Sequence, residues 1–184
     1  LDLFSRHHES GETLPDAIFD RMIAARRFMG GWTQMRQLSF GTLDLALHQE
    51  LARRLYHAGS ADSSEDLDTL QSSEVMDFVR DRLLPFSPSN RFADRHILTS
   101  FQHVFAGGYA AGYYSYLWSE VLDADVFTRF REEGIFNPET GRDYVDTILS
   151  AGDSADPEVL FRDFMGRDPD PVALLERNLG PPPA

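Results

Sequence analysis

The chain has 184 residues, 42% of them hydrophobic, enough for one domain with a real core. It has no cysteine, which excludes disulfides and thiolate metal sites. Its net charge of −13 disfavours nucleic acid and anionic membrane surfaces as partners, because like charges repel. No apolar run reaches the length of a membrane span and no signal-peptide pattern is present, so a cytoplasmic location is expected. The first residue is Leu1, not methionine, and the chain is expected to be a piece of something longer.

Residues 1–12 are polar. Thr13 is placed to cap a helix that Leu14 and Pro15 open, with Leu14, Ile18, Met22, Ala25 and Met29 as its apolar stripe. Gly30 and Gly31 break it. A longer helix is expected from about Trp32 to His57, with Met35, Leu38, Thr42 and Leu45 on the buried side. Residues 58–65 read as a polar loop. A third helix, from about Glu65 to Leu84, is acidic and only partly apolar, and is expected on the surface; Pro85 and Pro88 end it. Ile97, Leu98, Phe101, Val104 and Phe105 keep a helical period in a fourth. Beyond Gly107 and Gly108, a fifth helix carries the tyrosines and runs to about Arg131, with Gly134 as its stop. Asn137-Pro138-Glu139 opens a helix that turns Val145, Ile148 and Leu149 inward and stops at Gly152. Asp156-Pro157-Glu158 opens another, with Leu160, Phe161 and Phe164 inward. A last helix covers about 170–178, and the tail from Gly180 to Ala184 is extended. No stretch alternates with period two, so the expected fold class is all-α.

Chemistry concentrates between Phe101 and Trp118, where a histidine, a Gly-Gly pair and four tyrosines fall together. Tyr109, Tyr113 and Tyr116 stand at i, i+4 and i+7, within roughly 60° of one another on a helix, and Tyr114 points elsewhere. A phenol donates a hydrogen bond to a carbonyl oxygen that is gaining negative charge. Aromatic residues at helical spacing are more often core, but three buried hydroxyls on one face would each need a partner. Metal chemistry finds less support. No HExxH occurs, and His7-His8-Glu9 and His48-Gln49-Glu50 both lack the second histidine that would put two ligands on one helix face. No GxSxG, P-loop or dinucleotide fingerprint is present. The chain alone is expected to hold no metal and no cofactor.

The stretch HVFAGGYAAGYYSYLWSEVLDADVF, with EEGIFNPETGRDY, ILSAGDSADPEVLF and FMGRDPDPVALLE after it, resembles the C-terminal part of the M3, thimet oligopeptidase-like family of zinc metallopeptidases. SGETLP, AARRF and MRQLSFGTLDLALH upstream are similar to the same family, so the likeness covers nearly all of residues 1–184. The resemblance implies the C-terminal segment of a mostly helical, zincin-type catalytic domain that hydrolyses short peptides. It implies a zinc in the parent protein, held by HExxH and a downstream glutamate that this sequence lacks. This segment would then supply Tyr116 and His103 as catalytic hydrogen-bond donors to the substrate carbonyl or its oxyanion. Tyr109 and Tyr113 would contact the substrate, and Gly107, Gly108 and Gly112 would let the loop reshape around it. By itself the segment is expected to be inactive and, with apolar faces lacking their partner, to self-associate. The competing expectation is a stand-alone helical module that binds peptides without cleaving them.

Overall fold

The computed structural model describes residues 3–59, 72–89 and 97–180. Nine α-helices are described: α1 (Asp16–Arg27), α2 (Gly30–Ala46), α3 (Ala52–Gly59), α4 (Ser72–Leu83), α5 (Ile97–Ser100), α6 (Ser115–Glu133), α7 (Pro138–Tyr144), α8 (Pro157–Met165) and α9 (Val172–Leu179). A π turn, Leu47–Leu51, joins α2 to α3, and another, Val145–Leu149, extends α7. Among the described residues there is no strand, only one backbone bridge between Arg6 and Thr13. The fold is all-α, as expected.

One core packs α2 against α4. Leu43, Ala46 and Leu47 meet Phe78, Val79 and Leu83, and Phe101 and Val104 close the same cluster from the chain that leads to the site. The expected face of the second helix is therefore rotated: Met35 and Leu38 face solvent at 38% and 41% exposure, while Leu43 is fully buried. Both stripes satisfy a helical period, and contact with α4 selects between them. For the same reason α4 is not the surface helix its acidity suggests. It buries Phe78, Val79 and Leu83 and turns Asp77, Arg80 and Asp81 outward, where they pair with one another. Its expected start near Glu65 lies outside the described residues, as do most of the expected polar loop and the end of the tail.

The second core forms where α6, α7 and α8 meet. Phe130, Tyr144 and Phe164 make a ring cluster with centroids 5.5–6.1 Å apart. Asn137 and Asp156 cap α7 and α8 by accepting from the Glu139 and Glu158 amides, and Phe161 and Phe164 are buried, as the sequence predicts. Val145 and Leu149, expected inward, are exposed because the chain there winds as a π turn instead of an α-helix. Two arginines clamp this half. Arg129 donates to Glu133, to Asp143 and to the Phe164 carbonyl. Arg167 donates twice to the buried Asp125, which also accepts from the Asp170 amide.

The first helix departs from expectation at both ends. Thr13 caps nothing and instead pairs with Arg6; Pro15 stands at the N-cap of α1. None of its expected stripe is buried, with Ile18 46% and Met22 54% exposed. The break comes at Met29, in the left-handed region at φ 58°, and Gly30 and Gly31 open α2 rather than stopping α1. Gly30 is there for a close approach. A Cβ at Gly30 would lie 2.5 Å from the Asn178 carbonyl oxygen, so only glycine lets the start of α2 meet the end of α9.

Candidate functional site

The tyrosines do not share one helix. From Phe105 to Tyr113 the chain runs through turns, and α6 begins only at Ser115. The expected fourth helix is likewise broken, into the four-residue α5 and a 3-10 turn, Gln102–Val104. That break comes at Phe101, whose ψ of 73° is not helical, whereas the turns before the tyrosines come from the glycines. Gly107 and Gly108 adopt φ of 78° and 79°, which no right-handed helix contains.

The same side chains nevertheless converge. The Tyr109 and Tyr116 rings stack at 5.3 Å with planes 20° apart, and the Tyr113 and Tyr116 rings lie 5.2 Å apart. His103 joins from the 3-10 turn, with its ring 5.4 Å from Tyr109, 5.6 Å from Tyr113 and 6.0 Å from Tyr116. The turns of the loop thus accomplish what a helical spacing was expected to do. Phe101, buried beneath, meets Tyr113 edge-on at 4.9 Å and anchors the cluster to the first core.

His103, Tyr113 and Tyr116 form one wall of a cavity of about 550 Å³. The opposite walls come from Gln34 and Gln37 of α2, Arg26 of α1, and Arg177 and Asn178 of α9. The Tyr113 hydroxyl donates to Gln37 Oε1 at 3.0 Å, so its proton is already engaged. Burial raises the Tyr113 phenol above its ordinary pKa, and the nearby Arg36 guanidinium opposes this. The Tyr116 phenol is raised chiefly by the adjacent Tyr109 hydroxyl, and then by desolvation. A raised phenol keeps its proton at neutral pH, which is the state a hydrogen-bond donor needs.

Gly107, Gly108 and Gly112 differ in what they require. A Cβ on Gly108 meets nothing within 4 Å, so the backbone alone demands glycine there. Gly108→Ala is expected to cost about 1–2 kcal/mol in stability through left-handed strain. Urea unfolding measures this, and an unchanged midpoint would show that the loop relaxes freely. At Gly112 the backbone is ordinary, but a Cβ would touch the Tyr109 carbonyl oxygen at 3.4 Å.

Sequence reasoning missed two residues. Gln37 Oε1 accepts the hydrogen bond of the Tyr113 hydroxyl, and Asp44, fully buried on α2, accepts from the Ala111 and Tyr113 amides. The signal for Asp44 was present: a carboxylate inside the run Leu43 to Leu47 must be buried with partners.

Comparison with known proteins decides the family. Residues 1–179 match peptidase family M3. The chain belongs to this family. It is 44% identical over 176 residues to oligopeptidase A of Escherichia coli, an alignment that covers 96% of this chain and 24% of that protein. It is 32% identical to dipeptidyl carboxypeptidase of Escherichia coli, over 95% of this chain and 24% of that protein. To saccharolysin of Saccharomyces cerevisiae it is 28% identical, over 94% and 22%. The chain therefore spans about a quarter of the length of these curated relatives. The family resemblance carried by the tyrosine stretch is borne out. The zinc that the M3 resemblance implies does not fit the described residues, since no three histidine or carboxylate side chains among them converge as metal ligands must. No helix of the described residues is long and apolar enough to cross a membrane.

Proposed function

We propose that this M3 chain forms the carbonyl-binding wall of an oligopeptidase site in a zinc-dependent, cytoplasmic enzyme that hydrolyses short peptides. The metal and the water-activating base come from residues other than those described. The observation that carries this reading is the convergence beside a cavity of His103 from a 3-10 turn, Tyr109 and Tyr113 from the loop and Tyr116 from the first turn of α6, three segments that no single helical period aligns. Tyr116 donates its phenol proton to the scissile carbonyl oxygen, most strongly when that oxygen carries the charge of the tetrahedral intermediate. His103 stands beside it as a second donor. Tyr109 and Tyr113 hold the peptide through ring contacts, because the Tyr113 proton is engaged by Gln37. Gln34, Gln37 and Asn178 offer amide groups to the peptide backbone.

A second reading, peptide binding without hydrolysis, is favoured for the isolated chain by its lack of HExxH. One pair of measurements separates the two. The polypeptide carrying this chain should hydrolyse short fluorogenic peptides and lose that activity to a chelator. The 184-residue chain alone should bind the same peptides without cleaving them. Failure of the longer polypeptide to cleave any short peptide in the presence of zinc would sink the first reading.

A further inference from the structure

The loop from Phe105 to Tyr114 has no regular structure to hold it, yet it places two of the three clustered tyrosines. Asp44 holds it. One carboxylate oxygen accepts the Ala111 amide at 3.0 Å and the other accepts the Tyr113 amide at 3.0 Å, tying α2 to residues 67 and 69 positions away. The bonds flank Gly112. Ala111 itself stands in the left-handed region at φ 58°, which an alanine keeps only where its surroundings impose it. A third donor faces the carboxylate from the π turn that follows α2. His48 Nδ1 lies 3.1 Å from the Asp44 side chain and 2.9 Å from its carbonyl oxygen. Both neighbours of Nδ1 are acceptors, so this nitrogen carries the proton and donates. No arginine among the described residues pairs with Asp44. A buried carboxylate that spends its oxygens on backbone amides is a costly way to fill a core position, and an apolar residue would suit the neighbouring leucines better. Its bonds run to the backbone of the tyrosine loop.

We infer that Asp44 is the positioning residue of the site. It sets where Tyr109, Tyr113 and Tyr116 stand by holding the Ala111 and Tyr113 amides, and it does not touch substrate. The inference rests on the carbonyl-binding reading for its kinetic consequence and on geometry alone for the tether. In Asp44→Asn the amide group offers one acceptor where two backbone N–H groups need two. The segment, with Gly107, Gly108 and Gly112 in it, then relaxes. Misplacing a donor by on the order of 1 Å lowers turnover by as much as about 100-fold.

The test is made in the complete peptidase. Asp44→Asn is expected to lower kcat by about 10- to 100-fold, to leave KM within about threefold, and to speed hydrogen exchange in residues 105–118. Combined with Tyr116→Phe, it should be no slower than the slower single variant, because both act through one hydroxyl. Asp125→Asn is the comparison: an equally buried carboxylate, bonded to Arg167 and away from the tyrosines, whose loss should lower melting temperature and leave kcat unchanged. Losses that multiply in the double variant, or unchanged exchange in residues 105–118, would overturn the assignment. The unmodified enzyme gives a check that survives a misfolded variant. The Ala111 and Tyr113 amides should exchange slowly within an otherwise exposed loop, and fast exchange there overturns the tether. If Tyr116→Phe itself keeps near-normal kcat, the carbonyl-binding reading has failed, and the exchange rates decide the tether separately.

Discussion

In the peptidase that carries this chain, Tyr116→Phe is expected to lower kcat by about 100- to 1000-fold with KM little changed. The substitution removes one hydroxyl and little volume, so the stacked contact with Tyr109 survives it. A donor that acts mainly on the developing oxyanion contributes to the transition state far more than to bound substrate, and its loss therefore falls on kcat. Tyr109→Phe and Tyr113→Phe should cost less and act more on KM. Their rings meet the peptide in both ground and transition states, and the Tyr113 hydroxyl already donates to Gln37. Tyr114→Phe is the control. Tyr114 is 52% exposed, lies outside the ring cluster and rests over Gly41, so its turnover should be unaffected. Steady-state kinetics and melting temperatures for the four variants separate this pattern from a purely structural one. In the structural case all four would shift melting temperature slightly and none would change kcat.

Asp125→Asn should be the most destabilising single change in the half of the chain built on α6. Asp125 is 1% exposed and accepts hydrogen bonds from Arg167 Nη1 and Nη2, at 2.7 and 2.5 Å, and from the Asp170 amide at 2.7 Å. Removing one partner of a buried pair costs about 3–5 kcal/mol in general. Because Arg167 stays 44% exposed and can be solvated, about 3 kcal/mol is expected here. For a chain of this size that lowers the melting temperature by about 6–12 °C. The pH dependence has a definite sign. Burial pushes the Asp125 carboxyl up, but Arg167 and the Asp170 amide outweigh it and hold the group below its ordinary value. Its contribution is therefore present above that ordinary value, near pH 4, and is lost as pH falls through the lowered one. Urea unfolding at pH 7 and pH 3 should show the native protein losing more stability in acid than Asp125→Asn does. A variant within 1 kcal/mol of the native protein at pH 7 would refute the assignment.

Much was legible without coordinates. Local chemistry carries the α7 and α8 starts, where Asn137 and Asp156 precede proline and glutamate, because a cap is written within three or four residues. The all-α class and the family were legible too, the family because the tyrosine and glycine stretch is specific. His103, Tyr109, Tyr113 and Tyr116 were named together from the same stretch, and they do converge. For the three tyrosines the spacing predicts a shared helix face, but two glycines at positive φ build turns instead. Which stripe of α2 is buried was open to sequence, since Met35-Leu38-Thr42-Leu45 and Leu43-Ala46-Leu47 both suit a helix. Only α4, brought alongside by the fold, chose the second. The π turns after Ala46 and Tyr144 and the broken fourth helix were equally out of reach, because tertiary packing there overrides a clean period. Asp44 marks the boundary between the two. Its place among leucines announced a buried carboxylate, but its partners, the Ala111 and Tyr113 amides, lie 67 and 69 residues away, a distance that no local pattern encodes and only the folded chain closes.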